Sequence, residues 1–358
     1  MPKILFIAIH RPGRSPSQRF RFEQYLTFLE QNSWEYDFSY LISENDDHFL
    51  YKKGYFIKKA LIFIKAIFIR IKDVLRASNY DVIFIQREAF FTGTSFFEKR
   101  MSRSSAKLVF DFDDSIWLPN VSDGNKSLIW LKNGGKTKDI IACSDLIFAG
   151  NQYLASYAEK FNDKVILIPT TIDLNYHRKI KVNASDKITI GWTGTSTTLV
   201  YLEELLPVLE KLKQSYKDQM DFKIIVDVAK DYPSINTKTT LWTRETEIED
   251  LNQIDIGIMP LPDNQWTQGK CGFKGLQYMA LEIPTIMSPV GVNSEIITHG
   301  ANGFIADTAH EWFDLLSKLI DSEELRKELG AKGKKTIQDS YSVISQKQKY
   351  LNEFEKLI

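Results

Sequence analysis

The sequence is poor in sulfur: Cys143 and Cys271 are its two cysteines, in apolar or glycine-flanked surroundings and without Cys-x-x-Cys spacing. Neither a disulfide framework nor a zinc site follows from that pattern, and a reducing cytoplasm is the expected compartment. Net charge is also missing, 46 Lys and Arg facing 46 Asp and Glu. There is no uncharged apolar run of the roughly 20 residues that a transmembrane helix needs. The apolar stretch at Met1–His10 ends at His10 and Arg11 with no small-residue cleavage site behind it, so it reads as a first strand and not as a signal peptide.

What is present is the composition of a folded globular protein. The 358 residues are 43% apolar and 26% charged, which excludes disorder and a multi-span membrane protein and suits two α/β domains better than one. The balance of charge is local: residues 1–180 hold 26 Lys and Arg against 20 Asp and Glu, and the remainder holds 20 against 26. The basic half is expected to face something anionic, with membrane lipid, a phosphorylated acceptor and nucleic acid as candidates.

Short apolar runs at 4–9, 82–85, 108–112, 146–149 and 165–168 read as buried parallel strands. Arg19–Gln31 carries Phe22, Tyr25, Leu26 and Leu29 at helical spacing, a first crossover helix. A second series at 188–192, 223–228, 254–259 and 284–287 follows a polar stretch at 170–187. Between its first two runs, Leu199, Leu202, Leu205, Leu206, Leu209 and Leu212 predict one core-facing helix. The fold class is therefore α/β, two doubly wound Rossmann-like domains, with ligands expected at the carboxyl ends of the strands. The domains are placed at 1–175 and 186–339, and the tail 340–358, with Tyr341, Val343, Ile344, Tyr350, Leu351, Phe354 and Leu357, as a terminal helix.

Tyr51–Arg76 stands apart. It sets Lys52, Lys53, Lys58, Lys59, Lys65, Arg70, Lys72 and Arg76 among Ile, Phe and Leu, with Asp73 its one acid. Two readings are open: a surface helix solvated by its lysines, or an interfacial helix on an anionic membrane. The basic residues are interleaved with Ile and Phe and do not alternate with stacking aromatics on a sheet, so no nucleic-acid partner is expected.

Two stretches carry the chemistry of an anion site. The strand ending at Trp192 runs into Thr193, Gly194, Thr195, Ser196, Thr197 and Thr198; the N–H groups of such a turn suit a diphosphate, and the same residues suit a plain N-cap. The turn lacks the G-x-G-x-x-G spacing of a dinucleotide site. Further on, Lys270 and Lys274 flank Gly272 in a loop entering a helix, where two ammonium groups can hold a diphosphate and stabilise it as a leaving group. In the first half, Asp111, Asp113 and Asp114 follow a strand. Such carboxylates bind sugar hydroxyls, move a proton to a leaving oxygen, ligate a metal, or cap a turn. The loop 10–18 leads to Arg19 and Arg21, which read either as phosphate holders for an acceptor or as exposed helix charges.

The run from Lys270 to Ile297, continuing to Gly303, resembles the donor-binding signature of family 4 glycosyltransferases. Phe110–Trp117, Gly150–Leu154, Ile168–Asp173 and Gly191–Thr195 resemble further stations along bacterial, cell-envelope members, in order and over nearly the whole chain. The resemblance implies the GT-B fold, two Rossmann-like domains facing each other across a cleft, with the terminal helix crossing back to the first domain. It implies a retaining transfer from a nucleoside-diphosphate sugar, as substrate and not cofactor, to a glycan or lipid-linked acceptor, with no metal and no cofactor. By the same carry-over Gly194, Thr195, Ser196, Gly272 and Phe273 face the donor, Trp242 the base, and Gln277 the ribose. Lys270, Lys274, Asp113 and Asp114 are the catalytic candidates, and Arg19 and Arg21 hold the acceptor. The chain departs from the pattern at Gly269, where the first carboxylate of a glutamate pair belongs, and at Gln277, where an amide replaces the second. The Arg and Lys that many relatives carry after the first strand of the second domain are also missing near Gly194.

Two other functions stay open on these residues. A nucleotide-sugar epimerase shares the fold and the donor pocket, and would interconvert sugars with no acceptor present. A non-catalytic nucleotide-sugar-binding module fits the missing carboxylate, and would bind donor without releasing nucleoside diphosphate. Cysteine usage points to the cytoplasm, and the basic segment 51–76 to the inner face of the plasma membrane.

Overall fold

A computed structural model describes residues 1–52, 54–118, 133–181 and 186–358. Lys53, one of the basic residues of the 51–76 segment, lies outside them.

The chain divides into two compact units, Met1–Thr170 with Gln346–Ile358, and Thr171–Ser345. The first is built on β1 (Lys3–His10), β2 (Glu35–Ile42), β3 (Val82–Gln86), β4 (Lys107–Phe112), β5 (Leu146–Ala149) and β6 (Val165–Leu167), all parallel, in the order β2-β1-β3-β4-β5-β6. Ile4–Ala8, Val82–Ile85 and Leu108–Phe110 are fully buried, as strands covered on both faces require. β2 escapes a search for apolar runs because Glu35, Asp37 and Ser39 interrupt it.

The order of the strands reverses between β1 and β3. The loops that leave these two strands diverge there, which makes it the crevice where a doubly wound sheet takes its ligand. The predicted crossover helix at 19–31 is three pieces, Pro16–Arg21, a turn of 3-10 helix at Glu23–Tyr25, and Leu26–Gln31. The longest helix among the described residues is Phe56–Arg76. It is fastened to the sheet by Arg70, fully buried, which donates to the carbonyls of Ala89 (2.5 Å) and Ala8 (2.7 Å), to Ser39 Oγ and to Asp73. Residues 346–358 pack within this unit: Tyr350 stacks on Tyr25 with ring centroids 4.3 Å apart, and Phe354 meets Trp34, Phe84 and Phe148.

The second unit holds β7 (Ile188–Thr193), β8 (Met220–Val226), β9 (Asp231–Tyr232), β10 (Thr237–Leu241), β11 (Ile256–Met259), β12 (Thr285–Met287) and β13 (Phe304–Ile305), in the order β13-β12-β11-β7-β8-β10-β9. Every pairing is parallel except β9 with β10. Its reversal lies between β7 and β11. The predicted helix over 199–212 breaks at Leu205 into Leu199–Glu204 and Leu206–Tyr216. Pro207 sits at the start of the second piece, where its missing N–H is harmless and its ring would clash inside a continuous helix. From Thr171 on, the polar stretch between the two strand series belongs to this unit as far as it is described. Ile172 bridges Ser342, its N–H donating to Tyr341 O at 2.8 Å, and Tyr176 donates to Glu247 at 2.9 Å.

Candidate functional site

At the reversal of the first sheet, the residues leaving β1, β3 and β4 form a connected polar cluster. Gln86 Nε2 donates to Ser17 Oγ at 2.6 Å, and Ser17 Oγ donates to both oxygens of Asp113 at 2.8 and 2.7 Å. Arg87 donates from Nε to Asp113 at 2.7 Å and from NH2 to Asp114 at 2.5 Å. Arg87 holds a left-handed backbone, φ 62°, uncommon for a residue with a Cβ and met at functional or strained positions. Burial pushes the Asp113 carboxyl up, but the charge and hydrogen bond of Arg87, with Arg21 and Ser17, outweigh it and hold the group below its ordinary range. Asp113 is thus a carboxylate that accepts hydrogen bonds, better suited to holding hydroxyls than to giving up a proton.

Beneath this cluster lies a second ion pair. Arg21 and Asp111 are fully buried and paired, with Arg21 Nε 3.1 Å from Asp111 Oδ1 and Arg21 NH1 donating to Ile168 O. This corrects the expectation for Arg21, which is interior structure and not a phosphate holder. Arg19 is buried as well, its guanidinium 5.0 Å from the Phe20 ring centroid, so it is not an exposed helix charge either.

In the second unit, the turn after β7 and the loop after β11 meet at the reversal. Lys274 lies 4.6 Å from the Trp192 ring centroid, with its Nζ 3.5 Å from Thr198 Oγ1. Lys270 lies 5.0 Å from the Trp266 ring centroid. Gly272 is the N-cap of the helix Phe273–Ala280 at φ 68°, and a Cβ there would stand 2.3 Å from Ile296 Cδ1. The left-handed conformation is what demands glycine there; the Ile296 methyl is a side-chain end that a Cβ would push aside. Gly194 is crowded too, since a Cβ would fall 2.2 Å from Trp192.

The turn itself differs from the open cradle expected. The N–H of Gly194 is taken by Ile225 O at 3.0 Å, that of Thr195 by Thr198 Oγ1 at 3.0 Å, and that of Ser196 by Asp227 Oδ1 at 2.5 Å. An anion at Ser196 would have to displace the exposed Asp227, whose carboxylate already occupies the anion's side of the turn. Gln277 is buried, its Nε2 3.1 Å from His177 Nε2, so in this conformation it is not presented to a ribose. Trp242 packs on the cluster of Ile225, Leu251, Ile254, Tyr278, Leu281 and Ile283, and its indole N–H donates to Glu247 at 3.2 Å. Phe273 opens its helix, half-buried.

Sequence reading missed Arg87, Ser17, Gln86, Asp227 and His177. Gln86, Arg87 and Asp227 carried a usable signal, polar residues at the carboxyl end of an apolar strand. Ser17 and His177 carried none, because their partners are distant in sequence.

Residues 235–336 match the family described as glycosyl transferases group 1. No match was found among curated proteins. Among solved structures, sucrose-phosphate synthase from Thermosynechococcus elongatus is similar with a TM-score of 0.73 at 12% identity, over 100% of this chain and 99% of that one. A glycosyltransferase from Rickettsia africae ESF-5 is similar with 0.70 at 12%, over 99% and 98%. Anabaena HepE in complex with UDP and glucose is similar with 0.65 at 14%, over 99% and 100%. At these identities the likeness is one of fold. The chain has the GT-B fold of two Rossmann-like α/β units. That fold and the matched segment together support a glycosyltransferase.

Proposed function

We propose that the protein is a retaining glycosyltransferase of the family 4 type, moving a sugar from a nucleoside-diphosphate sugar to a hydroxyl of a cell-surface glycan or lipid-linked precursor. The observation that carries the donor assignment is the meeting of Lys274 with Thr198 and Trp192 at the reversal of the second sheet. There an ammonium group, hydroxyls and a helix N-terminus converge where doubly wound sheets take ligands. Similar structures were solved with UDP-glucose, in Anabaena HepE, and with ADP and acarbose, in starch synthase IV of Arabidopsis thaliana, which favours a nucleoside diphosphate as the occupant.

In this reading Lys270 and Lys274 neutralise the charge that grows on the departing diphosphate, the task a metal ion performs elsewhere. Asp113, held ionised by Arg87, and Asp114, paired with the same guanidinium, accept hydrogen bonds from sugar hydroxyls. Lys274→Ala should lower nucleoside diphosphate release on the order of 10²-fold without a change in melting temperature, and EDTA should leave turnover of the native chain unchanged. Full activity in the Lys274 variant would remove the assignment. The anomeric configuration of the product, read by NMR, decides retention.

A further inference from the structure

The helix Phe56–Arg76 has one face that the fold does not use. Arg70, Asp73, Ala66 and Ile62 turn inward and are buried. On the outward side Ile57, Leu61, Ile64, Phe68, Ile71 and Leu75 are exposed, from 41% at Ile71 to 81% at Leu75. Their spacing of four and three residues in alternation stacks them in one stripe along the whole length of the helix. Lys58, Lys65 and Lys72, at intervals of seven, form a row along one edge of that stripe, and all three are exposed. Lys65 also reaches Asp46 at 2.7 Å, and Lys58 lies 3.7 Å from the Phe49 ring centroid. The helix's own acid, Asp73, is buried. Scattered exposed apolar residues are ordinary; a continuous stripe of six marks a contact surface.

We propose that this face docks on an anionic bilayer surface, the helix lying flat in the interface with its stripe among the acyl chains and its lysine row at the headgroups. Among the described residues no helix is long and apolar enough to cross a membrane, so the contact is interfacial and not a span. Charge complementarity selects lipid over a second copy of the chain. Two such faces packed together would set lysine row against lysine row, or against the apolar edge of Ala60, Ile67 and Val74, with no carboxylate on either helix to receive it. An anionic leaflet receives both the stripe and the row. Lys59, half-buried on the opposite side, is not part of the row. The first half of the helix stands at the ligand end of the sheet, since the preceding Glu44–Leu50 helix brings Asp46 to Lys65 and Asp47 to Arg11 and Arg14, just beyond β1. A lipid-borne acceptor would therefore arrive beside the Ser17–Asp113 cluster. That last point rests on the glycosyltransferase reading; the docking itself does not.

Co-sedimentation of the full chain with vesicles of phosphatidylglycerol in phosphatidylcholine, and of phosphatidylcholine alone, tests it without any use of activity. The native chain should bind the anionic vesicles, less so as salt rises. Lys58→Gln/Lys65→Gln/Lys72→Gln should weaken that binding on the order of 10²-fold, about fivefold per lysine. Ile57→Ser/Leu61→Ser/Phe68→Ser should abolish it, and both variants, altered at exposed positions, should melt like the native chain. Native protein that ignores both vesicles, or binds both equally, overturns the proposal. So does an ultracentrifuge dimer that the serine variant dissociates while vesicles go unbound, which would make the stripe a self-interface. Should the serine variant unfold, the lysine variant still decides, because binding equal to the native chain's would refute the charge complementarity.

Discussion

The carboxyl ends of the two sheets are built on opposite plans. In the first unit the charged side chains are paired with one another, Arg21 with Asp111 in the interior and Arg87 with Asp113 and Asp114 above them. In the second, the same position holds hydroxyls, crowded glycines and two lysines lying over indole rings. An end made of interlocked pairs fixes geometry, most of all at Arg21–Asp111, where removing either partner strands a buried charge. An end made of ammonium groups and exposed turn hydroxyls is arranged to receive an anion. Substitutions at the buried Arg21–Asp111 pair should therefore register as stability, and those at the lysines of the second unit as affinity.

The sharpest break is Arg21→Met, which leaves Asp111 buried without its partner. It should cost about 3–5 kcal/mol, read as a fall in the urea midpoint of the whole chain; a midpoint unchanged would mean that the pair is dispensable. Gly272→Ala comes next. It forces a left-handed alanine against Ile296 at about 1–3 kcal/mol, and by moving the entry of the Phe273 helix it should also weaken nucleotide binding, which calorimetry would measure.

His10 offers a titration of the same contrast. Burial, with Arg14, Arg11 and Arg87 adding to it and Asp47 opposing it, lowers its pKa from the ordinary 6.5 to about 4. Between these values the unfolded chain binds a proton that the folded chain does not, so stability should fall as pH drops from 6.5 to 4. His10→Gln should flatten that part of the profile, and parallel curves for the two proteins would contradict the shift. The smallest effect is expected at Asp227. Asp227→Asn removes a negative charge from the Ser196 N–H and should tighten nucleoside diphosphate binding about two- to fivefold, a gain visible in a competition assay and absent if the anion binds elsewhere.

The sequence made the sheets legible where strands are unbroken apolar runs, as in β3 and β4, and hid them where polar residues intervene, as in β2, or where two residues suffice, as in β9 and β13. It marked Gly272 and Lys274 because strand, loop and helix succeed one another within a short span. Helix breaks were legible in principle: Pro207 stood in the Leu199–Leu212 stripe and was overridden by the periodicity. The Arg21–Asp111 pair, 90 residues apart, and the contact of Gln277 with His177 could not be read, because nothing local distinguishes a buried arginine or glutamine from an exposed one. The basic helix showed its composition early, but which lysines share the exposed stripe depended on where Arg70 fastens it.

Isothermal titration of the native chain and of Lys274→Ala with a panel of UDP-, GDP-, ADP- and CMP-sugars tests the donor assignment most directly. At least one nucleoside-diphosphate sugar should bind the native chain with one site, and the variant should bind it at least tenfold more weakly at an unchanged melting temperature. Equal affinity in the two proteins, or no heat with any member of the panel, would contradict it.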